Sequence, residues 1–376
     1  MSSDIKNLVG LATRGLVRMF DEEKRLFCHR LVRTEEGFIR VGHSPRYTMM
    51  SLLGLHELER SGGQSPFDTD SLYKSLVSDS SWMNSLGDLG LLIWLTAEFE
   101  PDQVESLCHR FNLDKALNQY SDARDGRTME LAWLLAGLAH SVRATPRLTV
   151  PLTDLARETC RLLLENRGAH AFFGHLNSKK SFTGRLRGRI GSFADQIYPI
   201  YAMSKFAKHF HIEAALTPAR QCATAICKAQ GGLGQWWWLY DSQSGRVSSH
   251  YPVYSVHQHA MAPMGLFGLE EATGESYQSA IYKGLRWIYG ANELGVDMRD
   301  CQENVIWRCV LPRNKRSKYL EAALSLLGST KKEAPKEDLE ILHEDWPYEL
   351  GWLLYSFAMK SVSETETFSS STALHA

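Results

Sequence analysis

Six short polar clusters in this chain share one position, each at the start of a long apolar stretch. They are Arg46 and Tyr47 after Pro45; Asp88 after Gly87; Glu130, with Asp125 and Arg127 beside it; Asp195 and Gln196; His257, Gln258 and His259; and Glu344, Asp345 and Glu349. Carboxylates and imidazoles gathered in one place can divide into a proton donor and a proton acceptor. Free N–H groups at a helix start favour anions and lower a carboxylate's pKa. On this reading Asp195 is the leading acid or base. His257 or His259 is its counterpart, and Asp88, Glu130 or Glu349 the second carboxylate. A plainer reading stands beside each residue, because Asp at a helix start is an ordinary N-cap. Arg and His are poor caps, and their place in the same pattern points to a site.

Two further concentrations could serve such a site. The stretch Gln230 to Gln258 carries Trp236, Trp237, Trp238, Tyr240, Asp241 and Tyr254. Three consecutive Trp cannot share one face of a helix or strand. A ring facing the site would stack on a sugar or stabilise a carbocation; otherwise these rings wedge the loop against its neighbours. Just before Asp195 lie Lys179, Lys180, Arg185, Arg187 and Arg189. With Arg46 and Arg308 they suit a carboxylate or phosphate on the substrate; a solvated loop is the alternative. The expected binding set is therefore Arg46, Tyr47, Gln196, Trp236, Trp238, Tyr240, Asp241, Tyr254, Gln258 and Arg308. Asp297, Asp300 and Cys301 with His250, His257 or His259 match no strong metal signature, and neither a metal nor another cofactor is expected.

The elements that must position these residues are helices. Apolar residues recur at i, i+3, i+4 in Tyr47–Leu58, Leu86–Phe99, Met129–Val142, Ile197–Phe210, Ala260–Leu269 and Leu350–Met359. Low charge over several turns marks them as buried nearly all round. Between them run amphipathic stretches: Ile5–Arg30, Asp70–Val77, Gln103–Asn118, Leu152–Asn166, Thr217–Ala229, Tyr277–Tyr289 and Ser317–Leu327. A polar helix, a loop and a buried helix thus repeat about every 40 to 65 residues, the mark of an array of hairpins. The last buried stretch is as apolar as the middle ones, which favours a closed ring over an open solenoid with polar caps. The expected fold is an all-α (α/α)6 toroid. Asn304–Val310 is a candidate for a short seventh buried helix. One domain over 1–360 is expected, with Lys331–Asp338 as an exposed loop and Ser361–Ala376 as a disordered tail. In a toroid the buried helices run parallel, so the polar clusters would ring one mouth of the central cavity.

Bulk properties narrow the partners. With 44% hydrophobic and 23% charged residues, composition is that of a globular protein. A net charge of −1 gives no global attraction to nucleic acid or membrane. Seven cysteines, an odd number without CxxC, suggest neither disulfides nor a zinc ribbon, and hence a reducing, cytoplasmic setting. Neither a secretory signal nor a membrane span is expected. The sequence sets no oligomeric state.

Gln230–Trp236 matches the Q-x-x-x-G-x-W repeat of the terpenoid cyclase and protein prenyltransferase toroids. That resemblance implies a class II cyclase with Asp195 as proton donor. The D-x-D-D and DDxxD motifs and a zinc set are absent. The chain also resembles six-hairpin sugar enzymes: unsaturated glucuronyl hydrolases, N-acylglucosamine 2-epimerases and glucuronyl C5-epimerases. The resemblance rests on Tyr251-Pro252 to His257-Gln258, Ala260–Leu269 and the turn Thr273-Gly274-Glu275-Ser276-Tyr277. One toroid of this length is complete in those families, and a polar mouth suits hydroxyls better than a polyene. The first expectation is therefore a carbohydrate-active enzyme on an acidic or substituted sugar, acting as hydrolase, lyase or epimerase. A terpenoid cyclase-like enzyme is the second, and a non-catalytic toroid holding a glycan or peptide the third.

Overall fold

The computed structural model describes residues 2–122, 127–176, 188–313 and 334–372, with side chains for 4–118, 127–176, 188–313 and 334–361. Asp125 and four of the five basic-loop residues, Lys179, Lys180, Arg185 and Arg187, lie outside the described residues, as does Ser317–Leu327. In chain order the main elements are α1 (Ser2–Met19), β1 (Leu26–Thr34), β2 (Gly37–His43), α2 (Pro45–Arg60), α3 (Thr69–Ser78), α4 (Leu86–Phe99), α5 (Val104–Arg110) and α6 (Leu113–Asp122). Then follow α7 (Thr128–Ala144), α8 (Thr149–Glu165), β3 (Ile190–Ser192), α9 (Ala194–Phe210), α10 (Leu216–Ala229), β4 (Leu239–Asp241) and β5 (Arg246–Ser249). A π-helical turn at His257–Met261 leads into α11 (Ala262–Thr273), and α12 (Gln278–Ile288) and α13 (Pro347–Thr372) complete the helices used below.

Helices dominate, and the six stretches read as buried are all helical. The amphipathic stretch from Ile5 is not helical throughout. It leaves the helix after Met19 and becomes the β1–β2 hairpin, with Cys28 paired to His43 and Thr34 to Gly37. Asn304–Val310 is not a helix either: Val305–Ile306 pairs with Arg299–Asp300, and Cys309 begins a strand. The last helix continues to Thr372, past the point where a disordered tail is expected. Once nucleated, a helix adds further residues cheaply. No helix among the described residues is long and apolar enough to cross a membrane.

Packing sorts the chain into two compact units. The terminal unit joins residues 1–82, 298–308 and 343–376; the central unit is 83–297 with 309–342. In the terminal unit α2 and α13 pack so closely that a Cβ on Gly54 would lie 2.0 Å from the Gly351 carbonyl oxygen. Tyr47 meets Tyr348 nearer their N-termini, so the two helices run parallel. In the central unit the α4–α7 contact is equally tight. A Cβ on Gly137 would lie 2.4 Å from the Gly90 carbonyl oxygen. Gly87 faces Glu130 and Glu98 faces His140 and Arg143, again a parallel pair. Trp133 meets Tyr198, and Gly265 meets Ile197, extending the row through α9 to α11.

The C-terminal halves of α4 and α7 share a buried polar network with the middle of α9. His140 Nδ1 lies 2.9 Å from Glu98 Oε1, and His140 Nε2 lies 2.8 Å from the Tyr201 hydroxyl. Trp94 stacks on both rings, at 4.6 and 5.3 Å. Burial pushes the His140 pKa down to about 4, so the ring is neutral at pH 7. Burial also opposes ionisation of Glu98, but the His140 hydrogen bond and the Arg143 charge outweigh it and hold that carboxyl low. Each member has a fixed partner on a neighbouring helix, so the network sets the register of the row.

Candidate functional site

The N-terminal ends of α4 and α9 are built alike. Ser85 Oγ accepts from Asp88 N at 3.1 Å and donates to Asp88 Oδ2 at 3.0 Å. Ser192 Oγ stands to Asp195 in the same way, 3.3 Å from its N and 2.8 Å from its Oδ2. Both are reciprocal caps, Ser-x-x-Asp, that satisfy helix-start donors. Asp195 differs in what else it meets. Its Oδ2 also accepts from Ser192 N at 2.8 Å and lies 3.2 Å from His175 Nδ1. Its Oδ1 is buried with no hydrogen-bond partner among the described residues. Asp195 is wholly buried, whereas the His175 side chain is 30% exposed.

Nothing in the sequence singles out His175; the fold brings it there. The segment before it is pinned to two helix starts. Thr128, first in α7, donates its N–H to His175 O at 3.0 Å and its hydroxyl to Gly174 O at 2.5 Å. Gln196, third in α9, accepts from Phe173 N at 2.7 Å and donates to Phe173 O at 2.9 Å. Asp195 therefore faces His175 rather than His257 or His259, the counterparts expected. The His257 ring packs on Phe193 at 4.7 Å, with Nδ1 3.4 Å from Trp236 O. His259 is wholly buried, and neither ring nitrogen has a hydrogen-bond partner among the described residues. Burial pushes its pKa down to about 3.

Several residues expected to bind substrate have their polar groups engaged by the main chain. Gln196 is held by Phe173, and Gln258 repeats the arrangement one helix on, accepting from Trp236 N at 3.2 Å and donating to Tyr254 O at 3.1 Å. Asp241 closes the β4–β5 turn, accepting from Gln243 N and the Ser244 hydroxyl, both at 2.9 Å, with Arg189 3.4 Å away. Trp236 and Tyr240 are wholly buried around Phe193 and expose no ring face. The wedge reading fits these two. Gln230, first in the QW-like stretch, donates to the carbonyls of Gly234 and Ala280, both at 3.0 Å, and so ties the turn to α12. Trp238 and Tyr254 are partly exposed and meet edge-on at 6.4 Å. Glu130 is nearly buried, with Arg127 3.4 Å away.

The terminal unit has its own cluster at the starts of α2 and α13. Ser44 caps α2 through Tyr47 N at 3.1 Å. The Tyr47 ring lies 4.7 Å from Tyr348, 5.6 Å from Trp346 and 5.2 Å from His29 of β1. All four rings are partly exposed, as is Arg46. The Arg308 guanidinium sits 3.4 Å over the Trp346 ring and pairs with Glu349. Its charge is thus already met, which bears on its expected role with an anion. Burial lifts the Glu349 carboxyl to about 7 against the pull of Arg308. Burial also raises Asp345 well above the carboxylate range, although Ile306 N and Trp346 N donate to it at 2.9 and 2.8 Å. Burial pushes the Tyr47 phenol up to about 12. Sequence reading missed His29, Trp346 and Tyr348; a Trp-Pro-Tyr-Glu run at a helix start is the signal that could have marked two of them. Of the metal candidates, Asp300 caps Glu303 N at 3.1 Å and Cys301 is exposed.

No protein-family model matches the chain, and no curated protein matches it. Solved structures do. A sugar epimerase from a ruminal bacterium superposes with a TM-score of 0.64 at 11% identity, over 96% of this chain and 99% of its own. An unsaturated glucuronyl hydrolase specific for heparin gives 0.61 at 13% identity, over 97% of both chains. A possible member of the GH105 family from Salmonella enterica serovar Paratyphi A gives 0.61 at 11% identity, over 97% and 95%. At such identities what is shared is the fold alone, the α/α toroid.

Proposed function

We propose that this chain is a carbohydrate-active enzyme working by acid–base chemistry, with His175 exchanging a proton with the sugar and Asp195 as the carboxylate behind it. The contact between His175 Nδ1 and Asp195 Oδ2, at 3.2 Å, carries the reading. An imidazole titrates near neutral pH, so it can both take and give a proton there. A carboxylate on Nδ1 fixes the tautomer and steadies the imidazolium that forms, presenting Nε2 to the substrate. Asp195 is wholly buried and reaches a substrate only through such a neighbour; the His175 ring is partly exposed. The solved structures sharing the fold are named as sugar hydrolases and a sugar epimerase, which supports a saccharide as substrate. Asp88 and Glu130, at neighbouring helix starts, are the further carboxylates.

The test is turnover on a saccharide panel. Deuterium incorporation from D2O into the sugar reports proton abstraction, and new reducing ends report hydrolysis. Asp195→Asn keeps an acceptor for the Ser192 donors, so the variant folds. We expect it and His175→Gln to lose about a hundredfold or more in kcat. A folded Asp195→Asn protein with unchanged turnover removes the pair from the reaction.

A further inference from the structure

We infer that Thr128 and Asn166 are positioning residues: with Gly174 they form an uncharged clamp that sets the His175 imidazole against Asp195. The inference rests on the reading of His175 and Asp195 as the acid–base pair. The three residues close a ring of hydrogen bonds. Asn166 Nδ2 donates to Thr128 Oγ at 2.9 Å, the Thr128 hydroxyl donates to Gly174 O at 2.5 Å, and Gly174 N donates back to Asn166 O at 2.8 Å. Chemistry fixes the direction. A carbonyl only accepts, so the one hydroxyl proton belongs to Gly174 O, and Asn166 must turn its amide nitrogen to the hydroxyl oxygen. Thr128 is wholly buried and Asn166 nearly so, which keeps water from competing for these groups.

The ring joins three parts of the central unit. Thr128 opens α7, Asn166 caps the end of α8, and Gly174 precedes His175. Thr128 holds the carbonyls on both sides of the His175 Cα: its hydroxyl takes Gly174 O, and its N–H donates to His175 O at 3.0 Å. Behind, a Cβ on Gly174 would lie 2.2 Å from the Gly188 carbonyl oxygen, so the segment cannot retreat that way. Asp195 is just as fixed, because the Ser192 N–H and hydroxyl both hold its Oδ2 at 2.8 Å. The imidazole contact between them, at 3.2 Å, stands at the long end of the hydrogen-bond range. A slight outward shift of His175 therefore breaks it. None of the clamping groups ionises, so the clamp acts through geometry and adds no charge beside the ring.

Three substitutions in the full chain test this. Thr128→Val keeps the shape and loses the hydroxyl, Asn166→Leu removes only the outer donor, and Thr128→Ser keeps the hydroxyl. Two quantities are read: turnover on the saccharide the wild type accepts, and the nitrogen NMR shifts of His175, which report which ring nitrogen carries the proton. For Thr128→Val, with its helical circular dichroism retained, we expect kcat to fall about tenfold or more at little change in KM. Its His175 signals should move from one dominant tautomer towards a mixture. Asn166→Leu should change both less, and Thr128→Ser should return both close to wild type. A Thr128→Val protein that melts earlier but keeps the wild-type kcat and nitrogen shifts makes the hydroxyl a matter of stability alone and overturns the inference. Should that variant fail to fold, Asn166→Leu with wild-type shifts and kcat overturns it instead. Unchanged turnover in Asp195→Asn would defeat the proposed chemistry, and the nitrogen shifts of Thr128→Val would then decide the clamp by themselves.

Discussion

Asp88 and Asp195 start their helices with the same serine cap, and Asp195 Oδ2 also lies 3.2 Å from the His175 imidazole. That a cap stands at each helix start was legible in the sequence, because it is local, but it was read as the Asp rather than as the serine three residues before it. The imidazole was not, since His175 reaches Asp195 through hydrogen bonds to Thr128, nearly fifty positions earlier, and to Gln196. The two Gln residues taken for substrate ligands show the converse. Their side chains answer main-chain groups of irregular segments, a demand that appears only once those segments are buried. His259 allows a prediction of its own. Its folded pKa of about 3 lies below the unfolded value of about 6.5, so acid favours the unfolded chain. The neutral ring's contribution is complete above pH 6.5 and falls away as the pH drops from there towards 3. His259→Leu should remove about 2 kcal/mol of the stability lost between pH 7 and pH 5. Urea unfolding at the two pH values measures this, and an equal acid loss in variant and wild type would refute it.

At the scale of elements, burial on all sides made the central helices readable. Leu86–Phe99 agrees with the expected bounds because an unbroken apolar run of that length with few charges has few other solutions. The β1–β2 hairpin was hidden because Phe27 and Leu31, both buried, are four residues apart and imitate a helical stripe. The glycines of the buried helices have a reason in packing. At Gly137 two effects oppose each other: Ala is the better helix former by about 1 kcal/mol, yet its Cβ would stand 2.4 Å from the Gly90 carbonyl. Backbone cannot yield as a flexible side chain does, so overpacking wins. Gly137→Ala should destabilise by about 2 kcal/mol and lower the melting temperature. A variant as stable as wild type would mean the helices can separate at little cost.

At the scale of the whole molecule, the repeat of polar and buried helices was enough to expect a ring of hairpins, and the comparison with solved structures bears out that fold. The sorting into two units was not legible, because it depends on which distant segments meet. The terminal unit places α2 against α13, and Ser51 donates to a carbonyl 296 residues later. A chain lacking 343–376 should therefore expose the α2 face that carries Gly54 and bind a hydrophobic dye strongly, whereas the full chain does not; equal dye binding would argue against it. The same pairing sets a timetable for synthesis. At 5–20 residues per second, α2 leaves the ribosome roughly 15 to 60 s before the segment that covers it. Through that interval its apolar side has no native partner, while the central unit, contiguous but for one short segment, can already close on itself. The terminal unit is thus the part of the nascent chain with most to gain from a chaperone, and the last to become native.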